Sequence, residues 1–388
     1  MLRIFSEELM DPKNFVVTLE LVPGRESFGR TTDTLVGIAK DAFADGRISA
    51  VSITDNPGGN PSLSPDVLGY EIFKYGLDVI VHFTCRDMNR VGMESRALQL
   101  ARMGMKSILC LTGDYSGKGF GGRGAPVFDL DSVLLSAMIK KLSDRLLALG
   151  DPEPFFAGCG VSPFKTQEAE CLAQYKKLNK KLQAGATFVI TQLGYDINKF
   201  NELIRFHNEN HSHIPMMASV YMLSPRAAKA MNMGRVPGAY VSDALYNQVV
   251  LEWKDPKEGI KAGIERAARL GVVLKGFGYR GIHIGGVHKD FNTIGAILNR
   301  MEEIQDDWPK YLSEFSAKQK NAHYYYDNTT SANGAPRNSP GIKARVLEHL
   351  PYLYSIPPTP YFLIKKIPWR LPIENWPNFW RIRIKPGY

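Results

Sequence analysis

Residues 78–114 read DVIVHFTCRDMNRVGMESRALQLARMGMKSILCLTGD. Two apolar runs, Asp78–Phe83 and Ser107–Thr112, bracket a stretch of helical length and period, Met93–Met103. Gly104 follows that stretch, and glycine is the residue type that accepts the left-handed backbone of a helix stop. Apolar runs without alternation suit strands buried on both faces, and parallel strands need a crossover of about a dozen residues or more. The stretch therefore reads as a strand–helix–strand unit. Both strands end in polar residues: His82 and Thr84 after the first, Thr112-Gly-Asp114 after the second.

Working outward, the unit recurs. Further apolar runs are Val16–Leu21, Ala50–Thr54, Pro154–Cys159, Thr187–Gln192, Pro215–Val220 and Gly281–Gly285. Helical patterns lie between them, among them Thr32–Ala44, Leu130–Leu149, Thr166–Ala184 and Pro256–Leu270, with glycine stops at Gly46, Gly150, Gly185 and Gly271. Phe291–Ile304 reads as a closing helix. Eight strands alternating with helices over ~300 residues predict an α/β chain folded as a (β/α)8 TIM barrel across residues 1–305. The structural competitor is a doubly wound sheet. A barrel carries its chemistry at the C-terminal ends of its strands. Those ends hold Glu20, Thr54-Asp-Asn56, His82, Thr84, Asp114, Gln192 and His283, a polar set for buried strands.

The chain has 388 residues, 44% of them apolar and 22% charged, enough to bury a large core and too apolar for global disorder. No stretch approaches the ~20 apolar residues of a membrane span. The first residues, MLRIFSEE, carry no signal-peptide core, so a cytoplasmic chain is expected. Cys85, Cys110, Cys159 and Cys171 lack C-x-x-C spacing and read as reduced thiols, with no metal site expected. The net charge of +9 invites a nucleic-acid reading. From residue 331 to 388, however, nine Lys and Arg stand against two Glu, so this tail carries +7 and the preceding 330 residues only 9 − 7 = +2. The tail also holds ten of the 24 prolines and three of the five tryptophans, which sets it apart from the barrel. The expected organisation is thus a barrel over 1–305 and a basic, aromatic, Pro-rich C-terminal extension over 306–388.

Glu20 lies among apolar neighbours at the end of the first strand. There a carboxyl loses water, and its pKa rises toward that of a working general acid; an outward-facing surface Glu is the plain alternative. Asp114 is placed to stabilise cationic charge on a substrate, or merely to cap the next turn. Gly113–Gly124 contains a literal G-x-G-x-x-G outside its usual tight turn. It reads as a mobile loop whose N–H groups, with Lys118 and Arg123, face an anionic ligand, or as a flexible surface loop. His82 alone is as compatible with a structural histidine as with a catalyst. His207 and His211 have i, i+4 spacing, more in keeping with a solvated helix end than with a metal. The Gln192 amide offers a donor and an acceptor to the edge of a heterocycle, or to backbone.

Taken in order, Leu19-Glu-Leu-Val-Pro-Gly24, Val51-Ser-Ile-Thr54, Val81-His-Phe-Thr-Cys85, Leu111-Thr-Gly-Asp114, Gln183-Ala-Gly-Ala with Ile190-Thr-Gln192, and Gly281-Ile-His-Ile284 resemble the methylenetetrahydrofolate reductase family over roughly residues 14–303. The resemblance implies an FAD-containing barrel in which NAD(P)H reduces the flavin and 5,10-methylenetetrahydrofolate then receives hydride, giving 5-methyltetrahydrofolate. It implies Glu20 as general acid and Asp114 as the carboxylate that stabilises the substrate cation. It places Gln192 and Tyr195 on the pterin side, and Thr54, His82, Thr112 and Lys181 around the flavin. The family's pattern changes at four places. Thr112 stands for an Arg, Cys159-Gly-Val161 for Tyr-Pro-Glu, Gln174 for an Asp, and Leu193-Gly-Tyr195 for an aromatic run. Flavin-free hydride transfer therefore stays open, as does a tetrahydrofolate-binding barrel for one-carbon or methyl transfer with a partner protein.

The tail interleaves cations with aromatics, as in Trp369-Arg370 and Phe379-Trp-Arg-Ile-Arg-Ile-Lys385. It reads first as a strap on the barrel or on another subunit of a homo-oligomer, next as a docking segment for a partner protein or membrane surface, and last as a nucleic-acid binder. A scaffold subunit that docks through this tail is a further possibility at the level of sequence.

Overall fold

The computed structural model describes residues 4–287 and 289–326. A short helix, α1 (Phe5–Met10), precedes the first strand. The strands are β1 (Val16–Leu21), β2 (Ala50–Ile53), β3 (Asp78–Thr84), β4 (Ser107–Leu111), a small hairpin of β5 (Lys118–Gly119) and β6 (Gly122–Arg123), then β7 (Phe156–Val161), β8 (Phe188–Thr191), β9 (Met216–Tyr221) and β10 (Gly281–Gly285). All but the hairpin close into one barrel in the order β1-β10-β9-β8-β7-β4-β3-β2, every neighbouring pair parallel. The helices between them are α2 (Arg30–Asp45), α3 (Pro65–Phe73), α4 (Arg90–Met103), α5 (Ser132–Ala148), α6 (Glu168–Gln183), α7 (Ile197–His211), α8 (Pro225–Asn232), α9 (Asp243–Glu252), α10 (Pro256–Gly276) and α11 (Asn292–Ile304). The fold is a (β/α)8 TIM barrel. No helix among the described residues is long and apolar enough to cross a membrane.

The barrel interior changes polarity with height. At the bottom, Val16, Ala50, Ile80, Leu109, Phe188 and Met217 pack with Phe5 and Leu9 of α1, all of them buried. Phe5 meets Phe156 and Phe188 edge-on, with ring centroids 5.6 and 5.4 Å away. Its N–H is held by Asp78 Oδ2 at 3.1 Å. One step higher along the same inward faces come Thr18, Ser52, His82, Ser219 and His283. The interior is thus apolar below, where α1 plugs it, and polar above, at the C-terminal ends of the strands.

Two local expectations are corrected. The fifth barrel strand starts at Phe156, not at Pro154. Proline has no N–H for the ladder, and the Phe155 N–H goes to Ser143 Oγ at 2.9 Å. Helix α10 does not stop at Gly271. A Cβ there would lie 2.8 Å from Met301 Sδ, so this glycine permits close packing against α11. The loop over Gly113–Gly124 contains the β5–β6 hairpin, with Lys118 opposite Arg123.

Beyond α11, a 3-10 segment (Gln305–Phe315) leads into residues that lie against α6 and α7. There Gln319 N–H donates to Asp196 (3.0 Å), His323 N–H to Thr166 O (2.8 Å) and Tyr325 N–H to Glu202 (2.7 Å). Residues 306–326 are therefore continuous with the barrel. The basic, aromatic part of the expected extension, 331–388, lies outside the described residues.

Candidate active site

A cavity of about 450 Å³ opens at the C-terminal ends of the strands. Glu20, Thr54, His82, Thr112, Asp114, Lys181 and Gln192 all line it. Residues far apart in sequence meet here because all but Lys181 end or follow a strand, and Lys181 reaches in from α6.

Glu20 is the last inward residue of β1, above Thr18. Burial pushes its carboxyl up to about 7, so a proton is available near neutrality. Two imidazoles sit one level below. His82 Nε2 is 2.7 Å from Ser52 Oγ, and His283 Nδ1 is 2.9 Å from Thr18 Oγ1. Burial pushes them down to about 4 and about 3, so both are neutral at pH 7. Asp55 closes the end of β2: it accepts the Thr84 hydroxyl at 2.9 Å and pairs with Arg96 at 2.8 Å, and Arg96 also binds Asp66.

Asp114 follows Gly113, whose φ of +89° and tight approach to Arg86 Cβ (3.1 Å for an added Cβ) require glycine. Its carboxylate is exposed at the mouth. Arg86, which the sequence reading passed over, organises this rim. Its buried guanidinium binds both oxygens of Asp87 (2.8 and 2.6 Å) and donates to the backbone carbonyls of Asp114 (3.1 Å) and Asn56 (3.2 Å). Three loops thus hang on one side chain. The polar run Thr84-Cys-Arg-Asp87 just past a strand end was the available signal.

On the neighbouring wall, across from β1, Lys181 Nζ donates to Gly160 O at 2.6 Å, and burial pushes its pKa down. Lys177 pairs with Asp131 at 3.0 Å. Gln174 Oε1 accepts the Ser162 N–H at 3.2 Å, closing the end of β7. The Thr112 hydroxyl bonds Ser132 Oγ at 3.1 Å at the start of α5. Gln192 is oriented locally: its amide donates to Pro237 O (3.1 Å) and accepts from Leu193 N–H (2.9 Å). The Thr54 hydroxyl is buried at the cavity with no hydrogen-bond partner among the described residues.

Tyr195 departs from expectation. It is buried, it does not line the cavity, and its hydroxyl donates to Tyr221 O at 2.6 Å. The chain leaves β8 at Thr191 and turns through Leu193-Gly194, which carries Tyr195 behind the wall. Of the remaining candidates, His207 bonds Ile214 O (2.6 Å) and His211 bonds Asn179 (2.9 Å). Among the described residues no group of three or more His, Cys, Asp or Glu is arranged to hold a metal ion. All four cysteines are buried; Cys110 and Cys159 are register partners on β4 and β7, and burial pushes their thiols up to about 12 and about 11. Cys85, Cys110 and Cys159 pack in the apolar core, while the Cys171 thiol donates to Lys165 O at 2.8 Å.

The family model for methylenetetrahydrofolate reductase matches residues 6–302. A probable methylenetetrahydrofolate reductase (NADPH) of Caenorhabditis elegans is 27% identical over 206 residues, 51% of this chain and 29% of that protein. Methylenetetrahydrofolate reductase 1 of Schizosaccharomyces pombe is 27% identical over 159 residues, 40% of this chain and 24% of its own length. The match thus spans less than a third of either relative. Among solved structures, a Clostridium thermocellum protein that binds two copies of 5-methyl-5,6,7,8-tetrahydrofolic acid superposes with a TM-score of 0.51 at 12% identity, covering 78% of this chain and 99% of that one. This likeness is one of fold.

Proposed function

The chain belongs to the methylenetetrahydrofolate reductase family, and from that premise we propose that its barrel reduces 5,10-methylenetetrahydrofolate to 5-methyltetrahydrofolate. The observation that carries this reading is the pairing at one mouth of a carboxyl protonated near neutrality, Glu20, with a solvent-facing carboxylate, Asp114. Glu20 gives its proton to the substrate's N10 as the bond from N10 to the methylene carbon breaks. The cation left at N5 and that carbon is stabilised by Asp114. Hydride then adds to the carbon, forming the methyl group. The Gln192 amide, fixed by Pro237 and Leu193, presents its remaining donor and acceptor to the pterin edge.

The lining residues fit a flavin. The partnerless Thr54 hydroxyl, neutral His82 and the ammonium groups of Lys177 and Lys181 offer polar contacts around a cavity within the size range of cofactor sites. When bound, flavin supplies the hydride, drawn from NAD(P)H. Purified protein should therefore absorb as a flavoprotein, bleach with NADH or NADPH, and regain colour on adding methylenetetrahydrofolate. Glu20→Gln should slow that recovery by about 10²–10⁴-fold. Undiminished reduction by this variant would remove Glu20 from the acid role.

One observation favours a second reading. Cys159-Gly160-Val161 puts no side chain over the mouth at Gly160, and Lys181 gives its ammonium to the Gly160 carbonyl. On this reading the barrel binds tetrahydrofolate for one-carbon or methyl transfer with a partner protein and holds no flavin. A colourless protein that binds the folate and is turned over by no reductant would decide for it.

A further inference from the structure

Glu20, Gly285 and Tyr221 form one row of the barrel's uppermost layer. Leu19 is the register partner of Ile284, and Gly285 of Tyr221, so the three residues stand side by side on β1, β10 and β9. The middle position has no side chain. A Cβ at Gly285 would lie 2.9 Å from Glu20 Oε2 and 3.1 Å from Tyr221 Cδ2, which means that carboxyl and ring close over the gap. At Gly286 a Cβ would lie 2.8 Å from Tyr221 Cε1. Gly285 has no left-handed backbone to demand glycine, so close approach by its neighbours is the reason for it. Tyr221 is fixed from behind, where buried Tyr195 donates to its carbonyl at 2.6 Å.

We propose that Tyr221 is a positioning residue whose ring, seated in the gap at Gly285 and Gly286, holds the Glu20 carboxyl at the cavity mouth and keeps water from its flank. The proposal rests on reading Glu20 as the acid. A carboxyl walled by a ring, with no cation beside it among the described residues, keeps its proton to higher pH. Among the described residues, the titratable and charged groups around it are few. Tyr221 faces it from β9, its own phenol pushed up by burial and then by Glu20. His283 on β10 and His82 on β3 are neutral below it. Asp114, Lys177 and Lys181 belong to the far side of the ring of strands.

Carbon-13 NMR titration of labelled Glu carboxyls, with Glu20→Gln assigning the signal, reads the ionisation without any turnover. Tyr221→Ala should lower the Glu20 midpoint by about one pH unit, and Tyr221→Phe should leave it in place. Gly285→Ala, an independent variant with an allowed backbone, should lower it as well by pushing the carboxyl into the open cavity. The kcat–pH profile should move by the same amount. Unchanged midpoints in Tyr221→Ala and Gly285→Ala overturn the proposal. So does a Phe variant that shifts as far as the Ala variant, since the hydroxyl would then be the active part. Full turnover by Glu20→Gln would instead defeat the acid reading, while the titrations still decide the contact.

Discussion

Glu20→Gln is expected to separate stability from activity. Burial holds the Glu20 carboxyl at about 7, above its value in an unfolded chain, so ionising it in the folded state costs free energy. A raised folded pKa gives stability that is complete below the unfolded value of about 4 and is lost as pH climbs through the folded one. The Gln variant escapes that loss. Denaturant melts should find it level with the parent near pH 5 and about 1–3 kcal/mol more stable at pH 9, although its turnover has fallen. An equal gain at both pH values would assign the effect to packing instead. Glu20 was legible in the sequence because a carboxyl inside Leu19-Glu-Leu21 needs a reason. Tyr221 was not, because an aromatic at a strand end is unremarkable until register sets it beside Gly285. Tyr195 misled because proximity to Gln192 in sequence says nothing about which side of the wall a side chain takes after a turn.

The elements that shape the mouth are loops, and their coupling sets the next expectations. Gly117 N–H donates to Gly59 O at 2.7 Å, tying the loop after β4 to the loop after β2, and Asn60 accepts from Arg25 of the loop after β1 at 3.1 Å. Gly59 has φ +76°, and a Cβ there would strike the backbone at Tyr115. Gly59→Ala should therefore lower stability by about 1–3 kcal/mol and raise the substrate KM, measured by melting and by initial rates. An unaltered KM would mean that these loops do not shape the substrate site. Arg86→Lys keeps the charge and loses the planar fork, so at most some of the acceptors at Asp87, Asp114 and Asn56 can be served. It should weaken substrate binding more than Lys118→Ala, a change at an exposed hairpin residue. Strands and helices were largely readable from apolar runs and glycine stops. Boundaries slipped where one residue serves two purposes: Gly271 looks like a stop and acts as a packing glycine, and Pro154 looks like strand and lacks the N–H to be one.

At the scale of the molecule, charge and composition both set the barrel apart from the C-terminal part of the chain. The first 330 residues carry +2 of the total +9, so the candidate active site lies in a nearly neutral body. The sequence reading ends the barrel at 305, after the closing helix, and residues 306–326 pack on it through contacts that periodicity does not reveal. Lys199 is fully buried, and its ammonium reaches the His323 carbonyl and Glu202. Glu202 accepts from the Tyr325 N–H and from Tyr175 Oη at 3.1 Å. The Tyr325 ring stacks on Tyr175 with centroids 4.5 Å apart and meets Phe206 edge-on. A chain cut after residue 305 would leave a buried cation and carboxylate short of partners and an aromatic face open to water. Removing partners from a buried charged pair costs about 3–5 kcal/mol, before the lost apolar contacts are counted. A chain ending at 326 should therefore melt well above one ending at 305 in matched denaturant titrations, and should bind the folate where the shorter one fails. Coincident melts would place residues 306–326 outside the cooperative unit, and the barrel would then end after the closing helix.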